Sequence, residues 1–108
     1  MKVAISARGP SLDAEVDPRF GRCATFVLVE TEDLSFTAVA NDAAASGSGA
    51  GIEAARRVAG HGVKAVLTGS CGPNAHETLA AAGIDVIVGR TGTVEEVVRR
   101  FQAGELRP

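Results

Sequence analysis

The 108-residue sequence predicts an α/β fold: a five-stranded mixed sheet in the order 3-2-1-4-5, strand 2 antiparallel to the rest, carrying three helices. Three observations predict it. Short runs rich in Val, Ile, Leu and Ala recur, bounded by Gly, Pro, Asn and Ser clusters. The first three runs follow one another without a helical pattern between them, as an antiparallel unit does. Thereafter strand-like runs alternate with apolar stripes of helical spacing, the mark of β-α-β crossovers.

Lys2–Ala7 reads as the first strand, with Val3 and Ile5 on one face and Ala4 on the other. Residues 8–22 hold two breaker-rich clusters, Arg8-Gly9-Pro10-Ser11 and Asp17-Pro18-Arg19-Phe20-Gly21-Arg22, and read as one long loop with no regular element. Cys23–Glu30 and Ser35–Ala40 are short and β-branched, and Thr31–Leu34 between them makes a hairpin. Asn41–Ser48 is a loop of small residues. A helix then starts near Ser48 or Gly49, with Ile52, Ala55, Val58 and Ala59 on its apolar stripe and Gly60-His61-Gly62 at its end. Val63–Leu67 is the fourth strand and Thr68–Gly72 a third loop. Pro73 opens a second helix with Ala75, Leu79 and Ala82 facing inward, stopped by Gly83. Ile84–Val88 is the fifth strand. Thr93 with Glu96 forms a capping box ahead of Val94, Val97, Val98 and Phe101, and Gly104 ends that helix. Residues 1–108 are read as a single domain.

Composition narrows the function classes. Apolar residues are 45% and charged residues 22%, a globular balance. A net charge of −2 and the lack of Trp and Tyr speak against nucleic acid as a partner. No apolar run is long enough for a bilayer span and no signal-peptide core precedes the first strand, so a cytoplasmic, membrane-free protein is expected. Two cysteines do not make a disulfide framework at this length.

In the expected strand order, loops 8–23, 41–51 and 69–75 all reach one edge of the sheet. Strand order reverses there, and open α/β sheets bind ligands outside strand ends at such points. The expected crevice has three assets. Arg8, Arg19 and Arg22, with Arg90 after the fifth strand, supply positive charge. Helix starts near Gly49 and Pro73 turn unpaired N–H groups toward it. Cys23 and Cys71 are soft sulfur donors, with His76 one turn into the second helix. These suit an anionic ligand that carries metal or sulfide.

Each residue also has a plainer reading. Cys23 is a cluster ligand or a small buried hydrophobe. Cys71 is a functional thiol, its pKa lowered by the helix start that follows it, or a plain loop residue. An iron–sulfur cluster commonly takes four thiolates, so Cys23 and Cys71 need a second subunit, added sulfide or His76 to complete a metal shell. Phe20 plugs the core and fixes its loop, and Asp17-Pro18 shapes a turn. Gly47-Ser48-Gly49-Ala50-Gly51 lacks a phosphate-loop lysine and reads as a small-residue helix start. No catalytic set stands out: the first strand supplies no carboxylates for two-metal chemistry, and there is no Gly-x-Ser-x-Gly elbow.

Residues Asp17–Cys23 together with Thr68-Gly69-Ser70-Cys71-Gly72-Pro73-Asn74-Ala75 resemble the dinitrogenase iron–molybdenum cofactor biosynthesis family, that of NifX, NafY and the C-terminal region of NifB. The resemblance runs from about Met1 to Phe101. It implies a ribonuclease H-like motif and a role in binding or carrying an iron–sulfur or iron–molybdenum cofactor precursor. A cluster-donor or acceptor protein is the implied partner. The matching positions are Arg19, Phe20, Gly21, Arg22 and Cys23 in the first loop and Gly69, Gly72, Pro73 and Asn74 in the second; Cys71 lies outside the family pattern. The expectation is a non-catalytic carrier, monomeric or weakly dimeric. Two alternatives stay open: a nucleotide- or phosphate-binding regulatory module using helix N-termini alone, or a protein–protein adaptor pairing through edge strands 3 and 5.

Overall fold

The computed structural model describes residues 1–45 and 49–104. Strand β1 (Lys2–Ala7) lies in the middle of the sheet. It pairs antiparallel with β2 (Thr25–Glu30) and parallel with β4 (Ala65–Leu67). β3 (Phe36–Ala40) extends the sheet antiparallel to β2, and β5 (Asp85–Ile87) extends it parallel to β4. The order is β3-β2-β1-β4-β5, as expected. Ten described elements include two 3-10 turns, at Phe20–Arg22 and Asp42–Ala45.

Side-chain alternation sends each strand's residues to two separate cores. Ala4, Phe26, Leu28 and Val66 face α1 (Ala50–Ala59) and α2 (Pro73–Ala81), whose Ala54, Ala55, Val58, Ala75 and Leu79 complete that cluster. Val3, Ile5, Ala7, Val27, Val29, Ala65 and Leu67 face α3 (Val94–Gln102) through Val94, Val97 and Val98. The Thr93–Glu96 capping box forms in both directions, and Gly62, Gly83 and Gly104 take positive φ just beyond the helix ends.

The strands are shorter than the apolar runs suggest, because pairing stops where the partner strand stops. Cys23, Ser35, Val63, Ile84 and Val88 therefore fall outside them. Two inward assignments move as well. Ile52 is only half-buried and Ala82 is exposed, while Ala50 and Ala54 are buried in their place. Residues 8–22 are not a free loop: Val16 is buried and bridges Ala7, Glu15 bridges Thr93, and Phe20–Arg22 coils into a turn. Among the described residues no helix is long and apolar enough to cross a membrane.

Candidate functional site

The first and third loops are joined by backbone. Arg19 and Ser70 form a parallel bridge, in which Phe20 N–H donates to Ser70 O at 3.1 Å. Ser70 N–H and Oγ–H both donate to Pro18 O, at 2.6 and 2.7 Å. Gly69 is pressed so closely on Pro18 that a Cβ there would lie 2.5 Å from Pro18 Cα. Beneath this seam is a buried polar group. Ser6 and Thr68, both 0% exposed, share a 2.6 Å hydrogen bond, and Ser6 Oγ–H lies 2.7 Å from Asp17 O. Asp17 accepts from Arg19 N–H at 2.9 Å, so this carboxylate shapes the turn. Neither Ser6 nor Thr68 was singled out in the sequence. The available signal was a hydroxyl at an inward position at the end of an apolar strand.

The second loop is tied to the first by Asn41, which the sequence reading also passed over. Its Nδ2 donates to Cys23 O at 2.9 Å and to Gly21 O at 3.2 Å, leaving Oδ1 buried with no donor among the described residues. Arg22 Nη1 donates to Ala44 O at 2.7 Å. Arg22 is thus a strap between loops as well as a charge. Gly47 and Ser48 of the expected small-residue cradle lie outside the described residues.

The helix starts meet where these loops meet. A Cβ on Gly21 would approach Gly51 Cα to 2.9 Å, and one on Gly51 would lie 3.4 Å from Ala75 Cβ. The N-termini of α1 and α2 are therefore neighbours, with the Phe20–Arg22 turn against the first. Both N-caps are glycines, Gly49 and Gly72, which carry no oxygen to cap the first-turn N–H groups. Among the described residues nothing lies within 4 Å of a Cβ placed on either glycine. Pro73 and Asn74 are exposed on the first turn of α2. Arg19, with 69% of its side chain exposed and 4.0 Å from Asp17, extends from the adjoining bridge.

The two sulfurs are buried to different depths. Cys23 is 0% exposed, its thiol donates to Phe20 O at 3.3 Å, and burial pushes its pKa up to about 12. It is a core residue, since a thiolate there would have to form without water. Cys71 is half-buried against the same cluster, and desolvation raises its pKa instead of the helix start lowering it. His76 is exposed on α2, and among the described residues no three His, Cys, Asp or Glu side chains could hold a metal ion. Within the described residues of one chain, Cys23, Cys71 and His76 are thus not brought together as a three-residue metal group.

Arg8 and Arg90 line a cleft of about 420 Å³ with Glu15, Val16, Pro18, Thr91 and Gly92, and neither cysteine borders it. Pro18 lies between the two areas, since it both lines this cleft and packs on Gly69.

Two results follow for the thiols. At pH 8 a thiol reagent is expected to modify Cys71 in the native protein and Cys23 only on unfolding. Unfolded cysteine ionises near 9 whereas buried Cys23 holds its proton to about 12, so the unfolded state loses its proton first. Stability is then expected to fall between about pH 9 and 12, a fall that Cys23→Ala reduces, leaving only the part due to Cys71. Equal labelling of both thiols in native protein would contradict this burial.

Comparison with known proteins agrees with the fold. The family model described as dinitrogenase iron-molybdenum cofactor matches residues 1–104. The apo orange protein from Desulfovibrio gigas is 42% identical, with a TM-score of 0.95 over 98% of this chain and 90% of that one. A NifB-like protein from Thermotoga is 34% identical, with a TM-score of 0.83 over 98% and 90%. An uncharacterized protein of Methanocaldococcus jannaschii is 31% identical over 98% of this chain and 89% of its own. With the family pattern matched from the first strand to the end of α3, the chain belongs to the dinitrogenase iron-molybdenum cofactor family.

Proposed function

We infer that this protein is a non-catalytic carrier of an anionic metal–sulfur cluster, a precursor of iron–sulfur or iron–molybdenum type. The cluster is held without thiolates from Cys23, at the paired starts of α1 and α2. One observation carries the reading: two neighbouring glycine-capped helix N-termini adjoin the backbone bridge from which the exposed Arg19 side chain extends. Helix-start N–H groups and a guanidinium recognise negative charge by hydrogen bonds and field, not by covalent ligation. Cluster sulfides are acceptors for such donors. Membership of a family named for an iron–molybdenum cofactor supports this chemical class of cargo.

The test is anaerobic incubation with iron, molybdate and sulfide, followed by desalting, metal analysis and visible absorption. The wild type is expected to retain metal and sulfide together. Arg19→Ala is expected to bind about 5- to 30-fold more weakly, equivalent to losing one charge-assisted hydrogen bond of roughly 1–2 kcal/mol. Cys23→Ala is expected to retain the cluster. Wild-type protein that elutes free of metal and sulfide sinks the proposal. A melting temperature raised by nucleotide or phosphate but not by the cluster puts the phosphate-binding alternative in its place.

A further inference from the structure

Among the described residues β3 is an open edge of the sheet, and its hydrogen-bond phase can be fixed. Asn41 N–H donates to Ala24 O at 3.0 Å, and Glu30 N–H donates to Ser35 O at 2.9 Å, one bond at each end of the β2–β3 ladder. With Thr25 opposite Ala40 and Val29 opposite Phe36, antiparallel alternation places the inward-bonding groups at Ser35, Thr37, Val39 and Asn41. The N–H and C=O groups of Phe36, Ala38 and Ala40 therefore point away from the sheet.

This edge lacks the usual protection. Phe36-Thr37-Ala38-Val39-Ala40 has no charge and no proline, and a β3 Lys is absent. Phe36 is 44% exposed, and Thr37, Ala38 and Ala40 are exposed too. The strand is self-complementary about Ala38. When it pairs antiparallel with a copy of itself, Ala38 faces Ala38, Phe36 faces the small Ala40, and Thr37 faces Val39. Ser35 falls opposite Asn41. No like charges meet, and the large ring lies opposite a methyl group, so no side chain obstructs backbone approach. The outward groups of Phe36, Ala38 and Ala40 are those that a pairing centred on Ala38 brings together as hydrogen-bonded pairs.

We propose that β3 is a homotypic interface: two copies of this chain join edge to edge, antiparallel, with the two-fold axis at Ala38, making one continuous sheet. The proposal does not depend on the carrier reading. β3 runs parallel to β1, so the two rims point to opposite ends of the dimer and each stays open. With only five residues a side, the interface is small and the association concentration-dependent.

Sedimentation equilibrium of the wild type from micromolar to millimolar concentration tests this first. A monomer–dimer equilibrium is expected, and a monomer throughout the range overturns the proposal. Ala38→Lys and Ala38→Glu then decide the register. Each puts like charges opposite across the axis and is expected to be monomeric, at least ten-fold weaker than wild type. Mixed in equal amounts, the two variants are expected to associate again. A wild-type dimer that persists in either variant, or a mixture that stays monomeric, overturns pairing centred on Ala38. Ala38 is exposed, so an unchanged circular dichroism spectrum is expected for both variants. Hydrogen exchange adds an independent reading. Thr37, Val39 and Asn41 amides are protected at every concentration, whereas protection of Phe36, Ala38 and Ala40 must rise with dimer. If those three exchange fast in the dimer, another surface mediates it.

Discussion

Gly69→Ala is expected to cost about 3 kcal/mol of stability and to abolish cluster retention at the rim. The added methyl would lie 2.5 Å from Pro18 Cα and 2.9 Å from Pro18 O. Both are backbone atoms, so no rotamer change relieves the clash, and the first loop has to lift off the third. Overpacking of this kind costs roughly 1–3 kcal/mol. Lifting the loop also weakens the bonds from Ser70 to Pro18 O and from Phe20 N–H to Ser70 O, each of about 1 kcal/mol. For a domain of this length each kcal/mol lowers the melting temperature by about 4–8 °C. Gly72→Ala is the control. A Cβ there meets nothing within 4 Å and φ is −64°, so its unfolding midpoint should stay near wild type. Equal midpoints in urea for the two alanine variants would show that the loops are not pressed together.

Phe20→Ala is expected to be the most destabilising single truncation in the site, at about 3–5 kcal/mol. Phe20 is 1% exposed, and its ring lies 5.0 Å from that of Phe26 with the planes at 47°. Domains of this size hold about 5–15 kcal/mol in all, so the variant stands close to unfolding at room temperature. The loss also reaches the site. Phe20 O accepts the Cys23 thiol and Phe20 N–H bonds Ser70, so the ring pins the bridge that carries Arg19. Native Phe20→Ala protein should therefore expose Cys23 to thiol reagents, while Phe20→Leu, which refills most of the space, should keep it shielded. Urea unfolding with thiol titration checks both, and a protected Cys23 in Phe20→Ala would show that the ring does not hold the loop.

The candidate site was legible in outline. Convergence of three loops on one rim follows from strand order, and strand order follows from connection lengths and the right-handed crossover. Phe20 as a plug follows from one large apolar residue inside a polar loop. The roles of the polar residues were not legible. Arg22 reads as an anion grip, yet its guanidinium reaches Ala44 O across the rim. Cys71 reads as a thiol activated by a helix start, yet it leans on the core and is desolvated. Asn41 reads as loop and in fact clamps Gly21 and Cys23.

By itself the sequence determined what depends on neighbours along the chain: the two-residue and helical rhythms of burial, the glycines at helix ends, the capping box, and from these the five-stranded order. Only the tertiary structure decided which polar groups meet. It put Pro18 against Gly69, lined the cleft of Arg8 and Arg90 without either sulfur, and sent Cys23 inward. Those outcomes rest on contacts between residues some 50 positions apart, such as Pro18 with Ser70. A difference of one hydrogen bond or one ångström decides them, and local periodicity carries no record of either.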